Sequence, residues 1–202
     1  MMNILSAILF SISSNLDNIV IGIAYGIKKI KIGFLSNFLI AIITSLGTFA
    51  SMYLGKFIIN FFPPVFTNLL GSGIILLLGL YFLIQSITNF SNKNIKNISL
   101  KNSDSMIEYA KYSDKNNSGH IEIKEAIAVG FGLTFNNIGT GIAASVAGVN
   151  ILETILFTFI FSMLLITIGF YLGNKIFGKF FGKFAPLISG ILLIILGILE
   201  LI

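Results

Sequence analysis

The chain has 202 residues, of which 55% are hydrophobic and 10% are charged, and its mean hydropathy is +0.96. Soluble domains carry roughly 25% charged residues, so this composition indicates an integral membrane protein. The absence of cysteine excludes disulfides and thiolate metal sites, and a single histidine, His120, excludes a multi-histidine zinc site.

Six apolar stretches approach the length of about 20 residues that a helix needs to cross a bilayer. The first continues through Asp17 and lacks a positively charged leader region, which indicates a span and not a cleaved signal peptide. Pro63-Pro64 separates the second and third stretches, and Pro186 is expected in the first turn of the sixth. The predicted fold class is an all-α integral membrane protein with six transmembrane helices. The predicted spans are Asn3–Ile27, Phe34–Phe62, Phe66–Phe90, Lys124–Gly148, Leu152–Phe177 and Phe184–Ile202.

The lysines are distributed asymmetrically about these spans. Twelve of them follow the first, third and fifth spans, where the third is followed by the polar stretch Ser91–Ile123, and only Lys56 lies on the other side. Cytoplasmic loops are enriched in lysine, so both termini are predicted outside and the long loop in the cytoplasm. The +5 charge therefore reflects membrane edges and not nucleic-acid binding. Abundant Ile, Lys and Asn suggest an AT-rich bacterial genome, so the predicted location is a bacterial cell membrane.

The two halves of the sequence resemble each other. Leu16–Ala24 matches Phe135–Ala143 at an offset of 119 residues, and Tyr53–Lys56 matches Tyr171–Asn174 at an offset of 118. Because each half contains three spans, the second half enters the membrane in the opposite sense, which predicts two inverted repeats with a site near the midplane. The predicted organisation is residues 1–90 as the first three-helix repeat, 91–123 as the cytoplasmic loop and 124–202 as the second repeat.

Asp17 is the only carboxylate deep inside a predicted span. A charged group at the bilayer centre costs about 3 kcal/mol or more, so such a group usually faces a protein interior or a water-filled cavity. Bringing the first and fourth spans together would gather hard oxygen donors, which suit Mg, Ca, Mn or a proton. The predicted ion pathway consists of Ser13, Ser14, Asp17, Asn18, Thr44, Asn136, Asn137 and Thr140.

Two further readings of the intramembrane residues stay open. The Asn, Ser and Thr side chains could instead serve only to join helices by hydrogen bonds. The glycine pairs Gly22/Gly26 and Gly169/Gly173 favour packing between helices of one chain over dimerisation, although a homo-oligomer is not excluded. Glu153 lies near a predicted span end and is given no role.

The cytoplasmic loop ends in a calcium-type motif, Asp114–Glu125. Oxygen-bearing side chains occupy positions 1, 3 and 5 of this twelve-residue EF-hand pattern, and Gly119 occupies position 6, where a sharp turn requires it. The alternative is a solvated connector of similar composition. The predicted ligands of a divalent cation (Ca, Mn or Mg) are Asp114, Asn116, Ser118, the His120 carbonyl, Glu122 and Glu125.

Enzymatic motifs are absent from the sequence. It has no HExxH metal motif, no nucleophile motif and no paired catalytic carboxylates, so the chain is not predicted to be an enzyme. The predicted partners are the lipid bilayer and a divalent cation, as substrate or as ligand.

The intramembrane motifs resemble those of the manganese efflux pump-like family, whose members have two inverted three-helix repeats. That family carries Ser-Met/Leu-Asp-Ala in the first helix of each half, whereas this chain reads Asn15–Asn18 and Thr134–Asn137. The first copy keeps the acid as Asp17, and the second has Asn136 in its place. The resemblance implies export of a divalent metal, with Asp17 as the acid of the first repeat.

The chain is more closely similar to the YtaF branch of sporulation membrane proteins in that family. Tyr25–Ile32, Asp114–Glu125 and Gly130–Leu133 carry this similarity. The branch implies the membrane of a spore-forming bacterium. Two hypotheses follow: manganese-type divalent cation efflux, or a non-transporting sporulation membrane protein whose cytoplasmic loop senses calcium or binds a partner.

Overall fold

The fold comes from a computed structural model that describes residues 2–61, 64–91, 110, 112–174 and 178–200. Helices dominate these residues, and two short strands form a small sheet. The elements are α1 (Met2–Ser14), α2 (Leu16–Lys28), β1 (Lys31–Ile32), α3 (Phe34–Ile59), α4 (Pro64–Ser91), β2 (His120–Ile121), α5 (Ile123–Val146), α6 (Ile151–Asn174) and α7 (Gly178–Leu199).

Within the described residues, four helical segments are long and apolar enough to cross a membrane, and α5 makes five if its bent halves count as one span. In α7 the apolar stretch is shorter and covers Leu187–Leu199. A mainly helical chain with four to five such segments is an integral membrane protein. The four unbent segments are Ile4–Lys28, Phe34–Ile59, Gly71–Thr88 and Ile151–Asn174.

Two details of the predicted spans differ from the structure. The predicted span Asn3–Ile27 corresponds to the apolar segment Ile4–Lys28, but its helix is interrupted at Asn15, which separates α1 from α2. Pro186 lies inside α7 and not in its first turn, because that helix already begins at Gly178, before the apolar stretch. The predicted span ends Phe62, Phe177 and Ile202 lie outside the described residues.

The main helix pairs join the N-terminal half (α1–α4) to the C-terminal half (α5–α7): α2 packs on α6, α3 on α5 and α4 on α7. Glycines allow the closest approach. A Cβ atom on Gly22 would collide with the Ile166 carbonyl oxygen and lie 3.0 Å from the Gly169 Cα. Small residues at such crossings let backbones touch, which replaces the hydrophobic driving force that lipid cannot supply.

A two-stranded parallel sheet also joins the halves. Lys31 is in register with His120 and Ile32 with Ile121. Next to it, the Ser36 hydroxyl donates a 2.6 Å hydrogen bond to the Ile121 carbonyl. The start of α5 is therefore fixed to the turn between α2 and α3, at the end of the molecule that carries Lys28, Lys29 and Lys31; this end is called the lysine-rich end below.

Two clusters of buried apolar side chains fill the interior. The first, around Tyr25, Ile40 and Val129, lies beside the strands at the lysine-rich end. The second, around Phe10 and Leu193, lies near the turn between α5 and α6 at the far end. Polar side chains occupy the region between the clusters.

The glycine contact between α2 and α6 yields a stability prediction. Gly22→Ala should lower the free energy of unfolding by about 1–3 kcal/mol, because the added methyl group meets backbone atoms that cannot move aside. Gly73→Ala in α4 is the matched control, since its Cβ would meet nothing within 4 Å. The measurement is the midpoint of thermal unfolding in detergent, and equal midpoints for the two variants would contradict the prediction.

Candidate functional site

The candidate site begins at the break between α1 and α2. Asn15 adopts φ −104° and ψ 8°, and its side-chain amide donates a 2.7 Å hydrogen bond to the Ser11 carbonyl. Asparagine side chains that bond to nearby backbone in this way compete with helical hydrogen bonding. Asn15 is the twelfth residue of the 25-residue segment Ile4–Lys28, so the break lies close to its middle.

The break exposes two helix ends to the same small region. The last carbonyls of α1 carry partial negative charge, whereas the first amides of α2 carry partial positive charge. Asp17 lies in the first turn of α2, half-buried, and its Oδ1 accepts the backbone N–H of Asn18 at 2.9 Å. A carboxylate is favoured at that position by the helix dipole, and carbonyls at a helix end are ligands that transporters use for cations.

The C-terminal half contributes an amide to the break. The Asn137 side chain donates a 2.8 Å hydrogen bond to the Ser14 carbonyl, which has no partner within α1 because the helix ends there. Helix α5 bends by 49° between Phe135 and Asn137. Asn137 thus contacts the first span at the end of α1. The side chain of Asn136 lies outside the described residues.

A second bridge links Asn18 to α6 and α3. The Asn18 side-chain nitrogen donates to Asn15 Oδ1 at 2.9 Å and to the Ser162 hydroxyl at 3.0 Å. Thr44 donates to the same Ser162 hydroxyl at 3.2 Å. Asn18 is fully buried, yet its Oδ1 has no hydrogen-bond partner in the described residues. A buried acceptor left unpaired costs free energy, so this oxygen is a ready ligand for a donor or a cation.

The other predicted pathway residues lie around this bridge. Ser13 forms a 2.8 Å hydrogen bond with Ser189 of α7, and Ser14 donates to the Ser11 carbonyl. Thr140 donates to the carbonyl of Asn137 in its own helix at 3.0 Å. The structure thus gathers Ser14, Asp17, Asn18, Thr44 and Asn137 near the break, whereas Ser13 bonds to α7 and the Thr140 hydroxyl bonds within its own helix.

Sequence reasoning did not assign Asn15 or Ser11 to the site. Both contribute to the break, and a signal for it was present: a run of Ser, Asn and Asp inside an apolar stretch is typical of helix ends. Nowhere among the described residues do three or more His, Asp or Glu side chains converge on a common point. A cation near Asp17 would therefore be held by one carboxylate together with amide, hydroxyl and carbonyl oxygens, which are ligands for hard cations.

The loop Asp114–Glu125 is closed by its own carboxylates. The two carboxylate oxygens of Asp114 accept the backbone N–H groups of Ser118 (3.0 Å) and Gly119 (2.9 Å). Those of Glu125 accept the N–H groups of Lys115 (2.7 Å) and Glu122 (3.0 Å). Both acids are buried, so the two ends of the loop are drawn together around them.

The remaining predicted ligands of the loop are exposed. Asn116 donates to a carboxylate oxygen of Glu122 at 2.9 Å, and the Ser118 hydroxyl donates to the His120 carbonyl at 2.9 Å. Asn117 and Gly119 have φ angles of 52° and 74°, and asparagine and glycine tolerate this left-handed region best. The loop passes directly into β2 and α5, and Glu122 with Glu125 forms the capping box of α5.

Comparison with known proteins identifies a family and a relative. The sequence profile of the family described as "Putative manganese efflux pump" matches residues 64–201. A protein of Bacillus subtilis (strain 168), "Probable sporulation protein YtaF", is 29% identical over 157 residues, which cover 73% of this chain and 75% of that protein. No solved structure matches the chain at a significant level.

Proposed function

The chain belongs to the manganese efflux pump family, and we propose that it exports a divalent cation through a site at Asp17 and Asn18. The family is one of transporters, in agreement with the prediction that the chain is not an enzyme. The observation that carries the proposal is the interruption of the first span at Asn15, beside which Asp17 lies in the first turn of α2 and the buried Asn18 Oδ1 has no hydrogen-bond partner in the described residues. Transporters use such discontinuous helices to bind ions at the membrane centre.

We infer that the site lies between two inverted repeats. Residues related by the repeat are 119 positions apart in the first helix of each half and 118 positions apart in the second. A contact made by two residues is repeated by their two counterparts, which supports this arrangement. In each pair, a small residue of one half fits closely against a small residue of the other. The matching contacts are Gly22 with Gly169 and Gly141 with Ser51, and likewise Gly26 with Gly173 and Ser145 with Gly55.

The inverted arrangement extends to topology. With α1 and α2 as one broken span and α7 as a sixth, residues 1–90 and 124–202 would each cross three times, with residues 91–123 in the cytoplasm. The lysine-rich end then faces the cytoplasm, as the lysine distribution favours. Asn18 and Ser162 would lie on one side of the axis that relates the two repeats. Their sequence counterparts, Asn137 and Thr44, would lie on the other side.

One carboxylate neutralises one of the two positive charges of a divalent cation. The remaining charge has to be compensated by oriented dipoles, here the carbonyls at the end of α1 and the amide oxygen of Asn18. Asn136, which stands where the family carries its second acid, cannot supply that charge. Binding weaker than in a two-acid relative is therefore expected.

The transport proposal is tested at Asp17. Asp17→Asn keeps the size of the side chain and removes its charge, so Mn²⁺ efflux from cells or proteoliposomes should fall to background. Asn136→Asp should lower the Mn²⁺ concentration for half-maximal transport, because it restores a second charge. Wild-type efflux by Asp17→Asn, or unchanged metal content in a deletion strain, would contradict the proposal.

A second candidate function concerns the loop Asp114–Glu125, which we propose binds a divalent cation as a sensor. Its EF-hand pattern and the left-handed turns at Asn117 and Gly119 support this proposal. The strand that follows, β2, pairs with β1 and so reaches the turn between α2 and α3. A cation in the loop would thereby act on the position of α5, either for transport or for a sporulation partner.

Terbium luminescence tests the loop, with the exposed Tyr112 as its sensitiser. Tb³⁺ should give a signal that Ca²⁺ competes away, and Glu125→Gln should weaken binding while leaving α5 capped, because glutamine also serves in a capping box. Lys115→Gln, at a position that offers no ligand, is the control. No signal from the wild-type chain, or equal signals from both variants, would contradict the sensor proposal.

A further inference from the structure

A line of buried hydroxyl groups connects Asn18 to the far end of the molecule along the contact between α1 and α6. The Ser11 hydroxyl donates to the Thr154 carbonyl at 3.1 Å, and Thr158 donates to the Ser11 hydroxyl at 3.3 Å. Ser11 is joined to Asn18 through Asn15, whose amide bonds to the Ser11 carbonyl. We call Ser11, Thr154 and Thr158 the hydroxyl seam; all three are buried, with exposures of 1% or less.

The seam has an unpaired acceptor at each end. At its inner end the Asn18 Oδ1 has no partner, although the residue is fully buried. At its outer end, Asn150 accepts hydrogen bonds from the backbone N–H of Glu153 and from the Thr154 hydroxyl. The Glu153 Oε2 is a buried atom without a hydrogen-bond partner in the described residues. A buried carboxylate oxygen without a partner is costly, so this one is suited to receive a cation.

The opposite direction from Asn18 is closed by apolar packing. The sequence counterpart of Thr158 is Ile40, a fully buried member of the apolar cluster at the lysine-rich end. There α2 and α6 also touch through the backbones of Gly22 and Gly169. Single interhelical hydrogen bonds in membranes contribute little to helix association, so the seam between α1 and α6 is the weaker closure.

These observations lead to one assignment, which rests on the proposed function. We propose that a divalent cation leaves the site at Asp17 through an opening along the hydroxyl seam and passes to Glu153, which serves as the receiving carboxylate. Glu153 lies nine residues before Ser162 in α6, about 14 Å along the helix, so the two acids act in sequence and not as one site. Glu153 would thus provide the second charge that Asn136 does not.

Transport in proteoliposomes tests the role of Glu153, with Mn²⁺ as the probe. Glu153→Gln should lower the initial efflux rate about tenfold, since an amide lacks the charge that attracts the leaving cation, while Mn²⁺ binding to the detergent-solubilised chain is retained. Glu200→Gln, another acid near a helix end, is the control and should transport like the wild type. Wild-type rates for Glu153→Gln, with Asp17→Asn inactive, would overturn this proposal and leave the proposed function intact.

Cysteine labelling tests the opening itself, because the wild-type chain contains no cysteine. Thr158→Cys should react with a membrane-impermeant methanethiosulfonate added outside, and Mn²⁺ should change the rate, whereas Ile40→Cys should not react. Phe61→Cys, which is 72% exposed beyond α3, checks that the reagent reaches that face. If Phe61→Cys reacts and Thr158→Cys does not, the proposed opening along the hydroxyl seam is wrong. If the wild-type chain transports no Mn²⁺, the proposed function is wrong. The labelling of Thr158→Cys would still decide whether the hydroxyl seam opens.

Discussion

A helix that breaks inside hydrocarbon leaves carbonyl and amide groups that the surrounding lipid cannot satisfy. Here the break at Asn15 requires partners for the last carbonyls of α1, and the chain supplies them with the side chains of Asn15 and Asn137. One of these partners belongs to the C-terminal half, so assembly of the two halves contributes to stabilising the break. Asp17, Asn18 and Asn137 all lie beside this break.

Two kinds of helix contact surround the break. Glycine contacts bring backbones together and leave no space for a side chain, as at Gly22 and Gly169. Hydroxyl contacts, as between Ser11 and Thr158, hold helices through single hydrogen bonds. The first kind resists separation because any movement loses many van der Waals contacts at once, and the second can be exchanged for water or for a cation at little cost. The opening proposed along the hydroxyl seam lies at contacts of the second kind, between α1 and α6.

Much of this arrangement could be predicted from the sequence, and the reasons are specific. Apolar length predicted the membrane helices, and the cost of a buried acid singled out Asp17. The break at Asn15 was missed because hydropathy averaged over about 20 residues does not register one amide side chain that competes with the helix backbone for hydrogen bonds. The burial of the unpaired Asn18 oxygen and the contact of Ser11 with Thr158 depend on residues far apart in sequence, so only the packed structure reveals them. The role of the loop at Asp114 depends on cation binding, which no spacing rule decides.

The pairing of α2 with α6, α3 with α5 and α4 with α7 also has a consequence for how the protein is made. Each early helix finds its main neighbour only after a later helix has been synthesised. Until then Asn18 lacks Ser162, and the Ser14 carbonyl lacks Asn137. The first half is therefore synthesised with these polar groups unmatched, and they acquire their partners only once α5 and α6 have followed.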